Sequence, residues 1–192
     1  EQIWPLIEPP YAELFNWLEG SADKPDAAGR AVFRPMMLAH SLLEPEIERL
    51  DFNSFQVEWK WDGARIQLVS GTDGVRLFSR SGDDISSAFP EIAKPLSWKG
   101  VIDGELLVGT PDQVGSFQQL QLRLNRKKPS SILMSKNPVF MRVYDILIDG
   151  DSDLRENSLE HRRARLEAQM KSELNVPYLD SVSYTHLRAH ET

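Results

Sequence analysis

Residues 64–80, ARIQLVSGTDGVRLFSR, constrain the fold more than any other stretch of the chain. Two runs of β-prone residues flank GTDG (71–74), whose glycines and aspartate suit the tight reversal of a hairpin. A two-stranded hairpin is marginal alone in water, so it requires further strands and a core. The sequence supplies candidates in FQVEWKW (55–61), VIDGELLVG (101–109) and PVFMRVYDILIDGD (138–151). FPEIAKPL (89–96) reads as a short helix or loop, and FQQLQLRLNRKK (117–128) as a helical stretch. SLEHRRARLEAQMKSEL (158–174) reads as a charged amphipathic helix with Ser158 as its N-cap. Strands joined by hairpins and interrupted by helices predict an α+β domain with mainly antiparallel sheet.

The first thirty residues differ in kind. PPYAELFNWLEG (9–20) has helical apolar spacing and a terminal Gly20, and SADKPDAAGR (21–30) reads as a linker. One helix is too little for a domain, so residues 1–30 are expected to be the tail of an upstream helical domain. The 192 residues then hold one domain plus part of another, and 41% hydrophobic content is enough for a core. No run approaches the roughly 18 apolar residues of a membrane span. The opening residues, EQIWPLIEPP, show no secretory signal, and the chain has no cysteine, so disulfides and thiolate metal sites are excluded. A cytoplasmic address is the expectation. The net charge of −7 argues against a protein that simply coats nucleic acid. The best local basic stripe is LRLNRKKPS (122–130), with Arg123, Arg126, Lys127 and Lys128, and a solvated helix end is the favoured reading of it.

The chemistry concentrates in VEWKWDGAR (57–65). On a strand, Val57, Trp59 and Trp61 share one face, and Glu58, Lys60 and Asp62 the other. Alternation alone is explained by an edge strand with a solvated polar face. The fuller string Lys60-x-Asp62-Gly63-x-Arg65 is not, because it surrounds an amine with what a phosphate-directed nucleophile needs. A free lysine side chain is protonated at neutral pH and cannot attack. Neighbouring cations and partial desolvation favour its neutral form. An arginine returning along the hairpin can hold a ribose or phosphate.

VEWKWDGAR resembles motif I of the covalent nucleotidyltransferases, which comprise ATP-dependent DNA ligases, RNA ligases and mRNA capping enzymes. Three companions follow in order: LFSRSGDDIS (77–86) resembles the Ser-Arg motif, VIDGELL (101–107) the D-G-E motif, and VYDIL (143–147) the aromatic-Asp motif. FRPMMLAHSL (33–42) and FQQLQLRLNRKK are similar to bacterial ATP-dependent DNA ligases that carry a helical N-terminal domain. The resemblance spans about residues 30–180. It implies an α+β fold in which residues 31–180 form the N-terminal part of an adenylation domain.

The resemblance also implies roles. Lys60 would attack the α-phosphate of ATP, expel pyrophosphate and hold AMP as a phosphoramidate. AMP would then pass to the 5′-phosphate of nicked double-stranded DNA, and the 3′-hydroxyl would displace it. Glu58 matches the glutamate that accepts from the adenine amino group, which favours ATP over GTP. Trp59 would contribute its backbone to base recognition while its indole packs inward. Arg65 and Arg80 match arginines around the ribose. Glu105 would contact the ribose or help place Mg²⁺, with Asp103 on the same strand face; two solvated acids on an edge strand are the competing reading. Tyr144 matches the aromatic that stacks on adenine, although an aromatic in an apolar strand also suits a core. Asp62 suits a turn-stabilising role. A monomer is implied.

The pattern is incomplete. An E-G-x-x-x-K-like strand, a final strand with a basic pair and an OB-fold are not found in these residues. The expectation is therefore that this polypeptide forms little AMP adduct by itself. Residues 181–192, SVSYTHLRAHET, do not resemble the family. His186 and His190 are spaced i, i+4 but lack a second pair of ligands. An RNA ligase or capping-type enzyme, and a non-catalytic nucleic-acid-binding module, are the alternatives.

Overall fold

The hairpin expected over 64–80 forms the edge of a larger sheet. In the computed structural model, β2 (Ala64–Gly71) and β3 (Gly74–Ser79) pair antiparallel, from Ile66 opposite Ser79 to Gly71 opposite Gly74. The structure describes residues 7, 9–25, 29–51, 54–124 and 126–186, with the backbone alone described for 184–186. Before the hairpin come α1 (Ala12–Leu18), α2 (Glu44–Ile47) and β1 (Gln56–Glu58). After it come a 3₁₀ turn (Ser86–Ala88), β4 (Gly100–Thr110), β5 (Gln113–Val114), α3 (Phe117–Leu124), α4 (Ser131–Lys136), β6 (Val139–Asp149), β7 (Ser152–Asp153), α5 (Leu159–Met170), β8 (Leu179–Ser181) and β9 (Tyr184–His186).

The main sheet runs β3-β2-β4-β6-β7, with β5 added to β4 and β8 to β6. All pairings are antiparallel except β6–β8, so the α+β, mainly antiparallel expectation holds. β4 is flanked by β2 and β6, which places Glu105 on a central strand and disposes of the edge-strand reading. A Cβ at Gly104 would lie 2.6 Å from the Arg142 carbonyl oxygen, so only glycine lets β6 approach here. The register of the two strands shifts beside it, between Asp103 and Gly104.

One face of this sheet carries the main core. Ile66 and Leu68 of β2, Ile102, Leu106 and Val108 of β4, and Met141, Val143 and Ile146 of β6 pack with Phe89, Ile92, Trp98, Leu120 of α3 and Leu166 of α5. The intervening residues of β2 point to the opposite face, as the period of two requires. There a smaller cluster of Ala31, Val69, Phe78, Val101 and Leu147 covers one end. The other end of that face holds the polar residues described below.

Ser158 caps α5 as expected, its hydroxyl accepting from the His161 N–H. Ser130 caps α4 in the same way, accepting from the Leu133 N–H, although α4 has no counterpart in the sequence-based reading. Two expectations fail. The strand predicted over 55–61 ends at Glu58, and residues 59–63 leave it to cross toward β4. Arg123, assigned to a basic stripe, is wholly buried: it donates to the carbonyls of Asn137 and Ala88 and pairs with Glu91. Its helix ends at Leu124 and turns that residue inward, whereas Arg126, Lys127 and Lys128 lie beyond it and are exposed.

Candidate active site

β4 and β6 are buried along almost their whole length, and Glu105 and Tyr144 are half-buried polar residues in the middle of those runs. Both line an open cleft of about 630 Å³ on the sheet face opposite the main core. The same cleft is lined by Glu58, Trp59, Lys60, Arg65 and Arg80, so all seven residues singled out from the sequence meet there. Asp62, Gly63, Met37, Ala39 and Asp145 complete most of its wall. A second cleft of about 570 Å³, between α5 and β8, contains Glu167, Lys171 and Asp180 but no aromatic or arginine.

Arg65 organises the floor. Its guanidinium donates to Asp103 Oδ2 at 2.9 Å and to the Met37 carbonyl at 2.7 Å, and lies 5.8 Å from the centre of the Tyr144 ring. Asp103 is fully buried and also accepts from Gln67 at 3.0 Å. It therefore supports Arg65 from beneath and does not share the cleft with Glu105. Gln67 in turn donates to the Arg34 carbonyl and accepts from the Arg34 N–H. These bonds pin the extended segment 33–39 against β2, making FRPMMLA a wall of the site.

The lysine segment is held differently. The Trp61 ring lies 4.0 Å from the Arg142 guanidinium, which is itself fixed by Asp180 and the Pro111 carbonyl. Gly63 presses on β4, where a Cβ would fall 2.8 Å from Glu105 Cγ. These contacts pull the chain off the β1 path and turn Lys60 toward the cleft rim. The expectation for the Trp59 indole fails: it is 80% exposed. Phe55 and Val57 on the same parity are exposed as well, because nothing among the described residues covers that face of β1.

The electrostatics follow from burial. Glu105 is pushed up to about 7, chiefly by desolvation; the Gly63 N–H and Arg65 pull it down, Asp62 pushes it up and Lys60 lowers it. Burial also raises Glu58, against the pull of Arg163 and with a push from Asp145. The Tyr144 hydroxyl is raised for the same reason and stays neutral. A half-buried carboxyl poised near neutrality gains from a divalent cation. Mg²⁺ takes one or two carboxylates plus phosphate and water, so Glu105 fits as a protein ligand without a closed cage. No cluster of three or more metal-binding side chains occurs among the described residues. The side chain of His186 and the whole of His190 lie outside the described residues.

Arg163 is the residue the sequence-based reading missed. It stands on α5, is 2% exposed, and pairs with Glu58 at 3.2 Å. Its neighbour Arg162 grips Asp145 with two bonds, of 2.8 and 3.0 Å. A pair of arginines on a helix has no local signal of this use; the one clue is that both belong to the buried face of an otherwise charged helix.

Comparison with known proteins bears on this arrangement. Residues 36–189 match the family model for the ATP dependent DNA ligase domain. The chain belongs to the ATP-dependent DNA ligase family. It is 34% identical over 150 residues to a probable DNA ligase of Koribacter versatilis, an alignment that covers 76% of this chain and 26% of that protein. A DNA ligase of Methanococcoides burtonii is 28% identical over 158 residues, 78% of this chain and 28% of that one. The chain thus spans about a quarter of the length of the curated relatives it matches. A solved mycobacterial DNA ligase D, complexed with ATP and MES, is 27% identical with a TM-score of 0.51, covering 67% of this chain and 39% of that one. A structure from a study of Lig E DNA ligases, at 19% identity, TM-score 0.55 and 82% and 54% coverage, shares the fold. The matched family span continues past residue 180, and β9 of this ligase-family chain pairs with β1.

Proposed function

We propose that this chain carries the nucleotide-binding face of an adenylation domain that acts in sealing nicked duplex DNA. The observation that supports this best is the convergence of Lys60, Glu58, Arg65, Arg80, Glu105 and Tyr144 on one cleft. In this reading ATP enters with its base against Tyr144 and its 6-amino group donating to Glu58. Arg65 and Arg80 hold the ribose. The Lys60 amine attacks the α-phosphorus: an N–P bond forms, the bond to the β-phosphate oxygen breaks, pyrophosphate leaves and the nitrogen gives up its proton to solvent. Mg²⁺, when bound beside Glu105, offsets charge on the phosphates. AMP then moves to the 5′-phosphate of a nick, and the 3′-hydroxyl displaces it to complete the phosphodiester.

The likeness to a ligase solved with ATP supports the choice of nucleotide. Residues 1–30 belong in this proposal to a preceding helical domain, a view supported by α1 having no buried residue. Incubation with α-labelled ATP and Mg²⁺ tests the reading. A polypeptide extended to the length of the relatives should gain label at Lys60, and Lys60→Ala should lose it. The 192-residue chain by itself, which spans about a quarter of the relatives' length, should label more weakly than the extended polypeptide. Absence of label on the extended polypeptide would sink the proposal.

A further inference from the structure

The Glu58 carboxylate is not held by its own strand. β1 has three residues, and among the described residues its only strand partner is β9. The side chain is held from across the fold, by Arg163 Nη2 on Oε1 at 3.2 Å. The same guanidinium donates through Nη1 to the Tyr144 carbonyl at 2.8 Å and through Nη2 to the Val182 carbonyl at 3.1 Å. It therefore bonds at once to the acid on one wall of the cleft and to the backbone of the aromatic on the other. At 2% exposure Arg163 does not line the cleft itself, so it acts on binding through the groups it holds.

We propose that Arg163 is the positioning residue for adenine selection, holding the Glu58 carboxylate and the Tyr144 backbone in one frame so that the edge and the face of the purine are read together. The inference rests on Glu58 accepting from the 6-amino group, as proposed above. Oε1 is engaged by Arg163, and Oε2 would accept from that amino group. Guanine offers a carbonyl oxygen at that position, which an ionised carboxylate repels. If Glu58 were protonated it could instead donate to that oxygen, and the preference would reverse. Arg163 opposes that by favouring the ionised form. The other charged groups facing Glu58 are Asp145 on β6 and, along the cleft, Lys60, Asp62, Arg65, Arg80 and Glu105.

NMR titration of the 192-residue chain with ATP and with GTP tests this, because it reads binding as weak as millimolar. The wild-type chain should prefer ATP. Arg163→Met should reduce that preference about tenfold, the worth of one charge-assisted hydrogen bond, by weakening ATP and leaving GTP nearly unchanged. Arg163→Lys keeps the charge but cannot reach all three acceptors, and should retain part of the preference. In Arg163→Met, and to a smaller extent in Arg163→Lys, whose ammonium stands farther from Oε1, the preference should fade at a higher pH than in wild type, a shift that loss of packing alone does not produce. Should Arg163→Met fail to fold, Arg163→Lys decides through its pH profile. If Glu58→Gln abolishes the preference while both Arg163 variants keep it unchanged, the inference fails and the role of Glu58 stands. If wild type binds the two nucleotides equally or binds neither, the reading of Glu58 fails and Arg163 falls with it.

Discussion

The two halves of the cleft are built by opposite means. The floor, formed by β2, β4 and β6, sets Arg65, Asp103, Glu105 and Tyr144 on long paired strands with a core beneath them. The lysine half is a three-residue strand and an irregular crossing, with Lys60 and Trp59 exposed. The contrast separates two requirements. Nucleotide recognition needs fixed partners, which a sheet provides through its hydrogen-bonded frame. In the proposed function, an amine that meets a phosphorus and later passes AMP to another acceptor would need room to move, which a paired strand would deny.

That division can be broken at four points. The largest effect is expected at Lys60. In a polypeptide extended to the relatives' length, Lys60→Ala should lower AMP-adduct formation at least about a thousandfold, as loss of a nucleophile does, while the melting temperature stays put. A large drop in melting temperature would show that the lysine half is structural after all. On the floor the pattern reverses. Asp103→Ala leaves Arg65 without its buried partner and should cost roughly 3 kcal/mol, read from the urea midpoint, before any question of activity arises. A near-neutral result would mean that the floor is no more rigid than the rim.

The third point compares the two tryptophans that bracket the lysine. Trp61→Ala removes a ring 4.0 Å from the Arg142 guanidinium and should destabilise by about 1 kcal/mol. Trp59→Ala, at an 80% exposed position, should stay within about 0.5 kcal/mol. Equal costs would erase the distinction between an anchored and a free flank. The smallest effect is one of pH. Glu105 has a folded-state value of about 7 against an ordinary 4.5, so the folded protein binds the extra proton more tightly. Stability should therefore fall as pH rises from 4.5 to 7, with the full penalty present above 7. The group is partly exposed and screened, so the loss should be below about 1 kcal/mol. Urea midpoints at pH 5 and pH 8 measure it, and Glu105→Gln should flatten the difference; an unchanged slope would remove Glu105 from the account.

Local signals were legible in the sequence and long-range ones were not. The Ser158 cap, the 71–74 turn and the runs that became β4 and β6 depend on neighbours within a few residues, and they form as read. The seven cleft residues were legible because they lie in motifs with fixed spacing. The orientation of Trp59 was misjudged because alternation says which residues share a face but not whether anything covers it. Arg123 was misjudged because a run of basic residues looks alike whether a helix turns one member inward or not.

By itself the sequence determined the α+β class, the hairpin, and the seven residues that line the cleft, through periodicity, turn residues and motif spacing. Tertiary structure alone decided that Asp103 supports Arg65 from within the sheet, that Trp61 anchors the lysine segment on Arg142, and that Arg163 reaches Glu58. Each of these joins residues far apart in the chain. Such pairings are selected by the packing of whole elements, and no local pattern encodes them.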